Sequence, residues 1–447
     1  MSAKPKTIAI VGAGLVGSLL AIYLQKRGYH VTLFERRPDM RTGKLVGGRS
    51  INLALSNRGL TALAEVGLAE ELKSVAIPMH GRTMHDVKGH LTFQPYGTQG
   101  QYINSISRSN LNMVLINAAE KAGARIHFEC TVTRIDTASG DFLYEQVISG
   151  ESVPKRLQFD QIIGGDGAFS VVRNELMKNP RFNYSQDYIE HGYKELTIPS
   201  APTGFAMEKN SLHIWPRESY MLIALPNPDQ TFTCTLFFPF EGPLSFEQLN
   251  QPEKARAFFE TNFPDALRLM PTFLEDWQSN PTSSLVTVRC KPWRKEKAIV
   301  IGDAAHAIVP FYGQGMNAGF EDCRIFNQLL TKHNDNWEQT LTEFEALRKE
   351  DADAIAQLAL DNFVEMRDLV ADKEFLLRKK IEARLHELFP EKWIPLYSMV
   401  TFYENIRYSE ALRIGRKQKA IMDEVMKQPG IETQWASLDF ESIVNQL

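Results

Sequence analysis

The sequence predicts an α/β fold with three parts: a divided Rossmann-like nucleotide-binding domain, an inserted antiparallel β-sheet domain and a C-terminal helical domain. Three observations predict it. The chain opens as strand, Gly-rich turn, apolar-periodic helix and second strand. An apolar strand that delivers an Asp into a Gly-containing turn recurs near residues 162 and 298. Beyond about residue 336 the pattern is that of long helices, broken at Pro390 and Pro395.

The first unit runs from the strand Thr7–Val11 through the turn Gly12–Gly17 to the helix Ser18–Lys26 and the strand Val31–Glu35, a βαβ opening with parallel strands. In Gly12-Ala-Gly14-Leu-Val-Gly17, Gly12 permits the tight turn and Gly14 lets the backbone approach a pyrophosphate. Gly17 lets the helix pack closely on the strand. The helix N-terminus adds N–H donors and partial positive charge. Glu35 ends the second strand 18 residues after Gly17, where a carboxylate accepts hydrogen bonds from a ribose diol. The motif predicts dinucleotide binding without choosing between FAD and a nicotinamide cofactor. Arg36 and Arg37 are read as solvent-facing rather than as a 2′-phosphate clamp.

A helix near Asn110–Ala122, a strand near Arg125–Phe128 and hairpin strands through Asp141–Phe159 come next. The segment Ile162–Arg173 is a strand entering a Gly-Asp166-Gly turn and a helix that carries Ser170 and Arg173. Its plainer reading is a capped strand–turn–helix. Residues 180–280 hold short alternating strands, Ser211–Trp215, Tyr220–Leu225 and Thr231–Phe238, separated by Pro and Asn. Ala298–Ile301 then delivers Asp303, with His306 beyond it, and Pro310–Gly319 is a Gly-rich loop entering a helix. Ligands lie outside the carboxyl ends of strands in open α/β sheets, so Asp166 and Asp303 are expected at one crevice. A carboxylate there suits ribityl hydroxyls, and backbone amides over Gly315–Asn317 suit the pyrimidine edge of a flavin.

Composition narrows the function classes. The 447 residues are 43% hydrophobic with a formal net charge of −4, an ordinary globular balance that excludes disordered and collagen-like chains. A pI near 6.2 argues against broad nucleic-acid binding. The apolar runs are far shorter than the ~20 residues that span a bilayer. Cys130, Cys234, Cys290 and Cys323 form no C-x-x-C pair or zinc spacing, so no metal site is expected, and free thiols suit a reducing compartment. The start reads almost directly into the first strand, so no signal or transit peptide is expected and the expected location is cytoplasmic.

The three glycine–acid motifs, in this order and at these intervals, resemble the single-component (group A) flavoprotein aromatic hydroxylases. The resemblance implies a Rossmann-like FAD-binding domain in three parts, residues 1–78, 101–178 and 286–335. It implies an antiparallel β-sheet substrate domain from residues 79–100 and 179–285, and a C-terminal helical domain over 336–447. FAD is implied as tightly bound, NADPH as a transient co-substrate without a domain of its own, and dioxygen as the oxidant. The implied cofactor-binding residues are Gly12, Gly14, Gly17, Glu35, Ala54, Arg108, Asp166, Asp303, Gly315, Met316 and Asn317. No side chain is implied as a catalyst, because a flavin hydroperoxide supplies the oxidising power while the protein orients substrate in a dry site. His85 and His306 are accordingly read as structural, and no G-x-S-x-G elbow supports a hydrolase triad.

Within that family, the stretches Ser50–Gly59, Gly302–Ala307, Pro310–Asp322 and Ile394–Phe402 resemble the members that hydroxylate L-kynurenine, over the chain to about residue 410. Kynurenine joins an α-amino acid head to a 2-aminophenyl ketone, so its site needs a carboxylate clamp and an aromatic slot. Arg82 can take a carboxylate bidentately, although an Arg in such a stretch is more often a surface charge. Tyr96 is either a second donor or a turn tyrosine packed on Pro95. Asn362 interrupts the apolar helical stripe of Ile355, Ala359, Met366 and Leu369, and a buried amide needs a partner, structural or ligand. In Thr231–Phe238, alternation sets Phe237 on the more polar face with Thr231, Thr233 and Thr235.

The resemblance assigns Arg82, Tyr96, Asn362 and Tyr397 to the amino acid end, and Phe237, Leu212, Ile223, Leu225 and Phe311 to the pocket wall. Competing readings are a family member acting on another aromatic or apolar substrate, including a reductase, epoxidase or halogenase, and a non-catalytic flavin-binding scaffold. A halogenase would carry a G-W-x-W-x-I-P stretch, and none is present. The tail Arg413–Leu447 is polar, with Lys417, Lys419, Lys427 and Glu432 spread through it. The hydrophobic C-terminal anchor of eukaryotic members is not expected here, nor is a membrane partner.

Overall fold

The strand Thr7–Val11 sits inside a six-stranded sheet because its apolar run Ile8-Ala-Ile-Val11 has no polar face to expose. The computed structural model describes residues 7–43, 52–97, 100–366 and 373–447. They divide into two units, the first built from Met1–Ala76, Ile106–Ile189 and Leu285–Ala356 and the second from Ile77–Ser105, Glu190–Ser284 and Gln357–Leu447.

In the first unit the strands lie in the order Arg294–Lys295, Ala298–Val300, Gln161–Gly164, Thr7–Val11, His30–Phe34 and Arg125–His127. All neighbours are parallel except the Arg294–Lys295 edge. The two Asp-bearing turns therefore leave the carboxyl ends of adjacent strands, as the sequence led us to expect. The helix Leu15–Lys26 follows the first strand, and a second helix, Gly315–Lys332, lies close against it. A Cβ on Gly319 would fall 2.6 Å from Val16 Cγ2, so only glycine allows that approach.

The second unit is built on a seven-stranded sheet in the order Thr282–Lys291, Asn183–Ile198, Phe232–Pro239, Tyr220–Pro226, Ser211–Arg217, Gly81–His85 and Leu91–Pro95. Gly81–His85 pairs parallel with Ser211–Arg217 and antiparallel with Leu91–Pro95. One face packs on the helices Pro252–Asn262, Pro264–Leu267 and Phe273–Ser279 through Trp215, Phe232, Phe238, Phe259, Phe263, Phe273 and Trp277. The expectation of strands alone across 180–280 is corrected here. Pro252 takes a first-turn position, where its missing N–H costs nothing, and Ala255 and Phe259 repeat at helical spacing.

Further on are the helices Trp337–Val364, Lys373–Leu388, Leu396–Phe402 and Tyr408–Met426. The tail is polar only on average. Ile421, Met422, Val425, Phe440, Ile443 and Val444 pack with Ile381, Leu385 and Trp393 in a core of their own. Among the described residues no helix is long and apolar enough to cross a membrane. All four cysteines are free and buried.

Candidate active site

The nucleotide turn separates the roles of its three glycines. Gly12 has φ of +96°, and a Cβ there would fall 2.6 Å from the Gly165 carbonyl oxygen. A Cβ on Gly17 would fall 2.0 Å from the carbonyl oxygen of Gly12. Around Gly14, by contrast, nothing lies within 4 Å of the Cβ position. Packing requires the first and third glycines. The second borders open space at the helix N-terminus, where a ligand can approach the backbone. Glu35 holds the turn from the next strand, since its carboxylate accepts from Ala13 N at 3.0 Å and from Arg37 N at 3.0 Å.

Asp166 has two different oxygens. Its Oδ2 accepts from Val171 N at 2.7 Å, capping the helix Val171–Leu176 together with Ser170, which accepts from Arg173 N at 3.0 Å. Its Oδ1 is buried without a partner, and burial pushes the carboxyl above its ordinary range. The capped-turn reading holds, and Asp166 Oδ1 is left as a spare acceptor. Arg173 ties the turn to the next motif through Ala304 O at 2.9 Å. Asp303 opens the short helix Asp303–His306 after Gly302.

The helix Gly315–Lys332 begins where expected, so its first amides have no partner within the helix. The Asn317 side chain is otherwise engaged. Its Nδ2 donates to Ala54 O and Gly313 O, both at 2.8 Å, and its Oδ1 accepts from Ser56 N at 3.0 Å. Asn317 therefore offers a ligand its backbone amide, while its side chain staples the Ala54 segment to the helix. Arg108 is exposed at the first position of the helix Arg108–Lys121. Ser50 and Ile51 of the quoted Ser50–Gly59 stretch lie outside the described residues, as does Leu369.

A buried ionic cluster went unrecognised in the sequence. Asp322 accepts from Gly302 N at 3.1 Å, from His306 Nε2 at 2.6 Å and from Arg348 Nε at 2.6 Å. Arg348 also reaches Glu321 at 2.8 Å and Asp351 at 3.2 Å, and Arg58 reaches Glu321 at 2.6 Å. Burial acts against the Asp322 charge, but His306 and Arg348 overcome it and hold the carboxyl below its usual range. Through its bond to Asp322, His306 braces the turn that presents Asp303. The available signal was Glu321-Asp322 lying between the core residues Phe320 and Cys323.

In the second unit, strand register collects the proposed substrate residues. Arg82 lies beside Leu212, Ile214 beside Ile223, and Ile223 beside Thr235. With alternation this puts Arg82, Leu212, Ile223, Leu225 and Phe237 on one sheet face, opposite the helix-covered face. The Arg82 guanidinium carbon lies 4.7 Å from the Tyr397 ring centroid and 5.6 Å from that of Tyr96. The two rings stack at 5.4 Å. Arg82 Nε is buried without a hydrogen-bond partner. The Tyr96 hydroxyl lies near enough to feel Arg82 and Tyr397, yet no group meets hydrogen-bond geometry with it. Burial raises the Tyr96 phenol, so it is a neutral donor at neutral pH. Asn362 is buried, with Nδ2 3.3 Å from Met366 Sδ. In the first unit, Phe311 is buried in the turn Pro310–Tyr312.

Comparison with known proteins gives the family. The model of the FAD binding domain family matches residues 6–359. The kynurenine 3-monooxygenase of Christiangramia forsetii is 50% identical over 99% of both chains. That of Sus scrofa is 46% identical over 93% of this chain and 88% of its own. The chain belongs to the kynurenine 3-monooxygenase family. Among solved structures, tetrameric 2-methyl-3-hydroxypyridine-5-carboxylic acid oxygenase aligns with a TM-score of 0.67 at 19% identity, covering 84% of this chain and 96% of the other. That likeness shows the shared fold.

As a member of the kynurenine 3-monooxygenase family the chain is an FAD-dependent flavoprotein monooxygenase, and its residues fit that cofactor. Gly14 leaves room at the helix N-terminus, the first amides of Gly315–Lys332 are open, and Asp166 Oδ1 is a buried acceptor without a protein partner.

Proposed function

We propose that the chain hydroxylates L-kynurenine at the ring 3-position, giving 3-hydroxykynurenine in the cytoplasm at the expense of NADPH and dioxygen. The observation that carries the substrate is the cluster of Arg82, Tyr96 and Tyr397 beside the sheet face that holds Leu212, Ile223, Leu225 and Phe237, with an Arg Nε and a phenol both buried and unbonded. Buried polar groups without partners are rare, and these two match a carboxylate. FAD, once bound, supplies the activated oxygen.

The remaining roles belong to the chain. Arg82 clamps the substrate carboxylate, Tyr96 donates a second hydrogen bond to it, and Asn362 and Tyr397 fix the rest of the amino acid head. Leu212, Ile223, Leu225 and Phe237 form a dry wall for the ring. Fixing the head decides which ring carbon is presented for oxidation. Gly12, Gly14, Gly17, Glu35, Ala54, Arg108, Asp166, Asp303, Gly315, Met316 and Asn317 are the proposed FAD contacts, Asn317 through its backbone. Residues 1–78, 101–178 and 286–335 form the proposed FAD-binding domain, 79–100 and 179–285 the substrate domain, and 336–447 the helical domain.

The test is anaerobic reduction of the FAD-loaded protein by NADPH, with and without L-kynurenine. Strong acceleration by kynurenine is expected; equal rates would sink the reading. Arg82→Leu should raise KM about 10- to 150-fold, the loss of a charge-assisted hydrogen bond, with the FAD absorption spectrum unchanged.

A further inference from the structure

Behind Arg82, on the helix-covered face of the same strand, lies a buried polar chain with no part in the proposed reaction. Asp265, in the helix Pro264–Leu267, meets His85 Nδ1 at 3.0 Å. His85 Nε2 meets His213 Nδ1 at 2.9 Å, and His213 Nε2 meets the Glu208 carbonyl oxygen at 2.8 Å. Trp215 stacks on His85 with centroids 3.9 Å apart and donates to Asp265 at 2.8 Å. Arg217 donates to the His85 carbonyl oxygen at 3.0 Å and lies 3.4 Å from that of Asp86. One step back along the strand, the Thr83 and Ser211 hydroxyls meet at 2.6 Å.

Donors and acceptors along this chain leave little freedom. A carbonyl only accepts, so His213 Nε2 carries a proton. Burial holds His213 down at about 4, so it is neutral and its Nδ1 is a bare acceptor. His85 Nε2 must then carry a proton too. Burial alone would raise Asp265, but His85 and Trp215 bring it down to about 2, a carboxylate that can only accept. His85 Nδ1 is the donor to it. Both His85 nitrogens are protonated, and the Trp215 face covers the resulting cation.

We propose that His85 is a buried imidazolium which, paired with Asp265, locks the Gly81–His85 strand onto Ser211–Arg217 and so positions Arg82 for the substrate carboxylate. The inference rests on reading Arg82 as the carboxylate clamp. That strand has the Leu91–Pro95 edge on its other side, and side-chain bonds from His213, Ser211, Asp265 and Arg217 add to the backbone pairing that anchors it. His85 is a positioning residue; it acts through Arg82.

Two measurements decide this. Long-range ¹H–¹⁵N spectra of the histidine-labelled holoenzyme near neutral pH, assigned with His85→Gln, should show both His85 nitrogens protonated and His213 protonated at Nε2 only. A bare nitrogen on His85 overturns the protonation. Asp265→Asn should raise KM for L-kynurenine about 5- to 20-fold while kcat stays within about twofold and FAD content is unchanged, and Asp265→Glu should recover most of the loss. An unchanged KM, or a kcat that falls in step with it, overturns the positioning role. A wild-type protein without kynurenine-dependent NADPH oxidation would defeat the proposed function instead, leaving the spectra to decide the charge on His85.

Discussion

Replacing the glycines of the nucleotide turn by alanine, one at a time, separates a turn that merely packs from one that binds. In Gly17→Ala the new Cβ would sit 2.0 Å from the Gly12 carbonyl oxygen, with Ile10 Cγ2 at 3.3 Å. The helix must move by about 1 Å to clear a contact that close, and overpacking of this kind costs about 1–3 kcal/mol. In Gly14→Ala nothing lies within 4 Å and φ is −76°, so Ala fits. Gly14 caps the helix, where Ala is the poorer cap, but Ala also removes unfolded-chain entropy. Both effects are near or below ~1 kcal/mol and of opposite sign, so the apoprotein should keep its stability to within about 1 kcal/mol. The same methyl group would stand where a pyrophosphate meets the backbone. Losing one charge-assisted bond there costs about 1.5–3 kcal/mol, roughly 10- to 150-fold in FAD affinity. Chemical denaturation of FAD-stripped protein and quenching of flavin fluorescence on titration measure the two quantities. The reasoning fails if Gly14→Ala binds FAD as tightly as the parent, or if it destabilises the apoprotein as much as Gly17→Ala.

Arg348→Met would leave Glu321, Asp322 and Asp351 facing one another in the core; a loss of about 3–5 kcal/mol by urea denaturation is expected. The lowered carboxyl of Asp322 gives a signed pH dependence. Its stabilisation is complete above the unfolded value of ~3.9 and is lost as pH falls through the lower folded value, so Asp322→Asn should flatten the acid limb of the stability–pH curve. Tyr96→Phe removes a hydroxyl that has no protein partner, so stability should stay within about 0.5 kcal/mol while KM for L-kynurenine rises about tenfold.

What was legible in the sequence was local or periodic. The strand–turn–helix at Gly12–Gly17, the helix start at Gly315 and the placement of Phe237 on the face away from Phe232, Cys234, Leu236 and Phe238 all follow from spacing within a dozen residues. The pairing of Gly81–His85 with Ser211–Arg217 was not legible, because nothing near Arg82 announces a parallel partner 130 residues away. The same distance concealed the chain from His85 to Asp265. The helices between 252 and 279 were missed because their apolar residues are aromatic and interrupted by Pro264, a pattern that also suits short strands. The tail read as polar because its apolar positions are spread one per turn, and only the partners Ile381, Leu385 and Trp393 reveal the stripe.

The helix Gly315–Lys332 shows why composition could not separate binding from bracing. Its first turn offers open amides, while its Asn317 side chain and Asp322 hold the Ala54 segment and the Gly302 turn. A charge at Asp322 therefore acts on Asp303 through the Gly302 N–H and through His306, without either residue needing to touch a ligand. Removing it should loosen the turn that presents Asp303 and lower FAD affinity together with stability. Gly14→Ala should lower affinity alone. Two substitutions in one unit, both weakening the cofactor, are thus told apart by whether the apoprotein melts earlier, and that contrast follows from Gly14 having no neighbour and Asp322 having three.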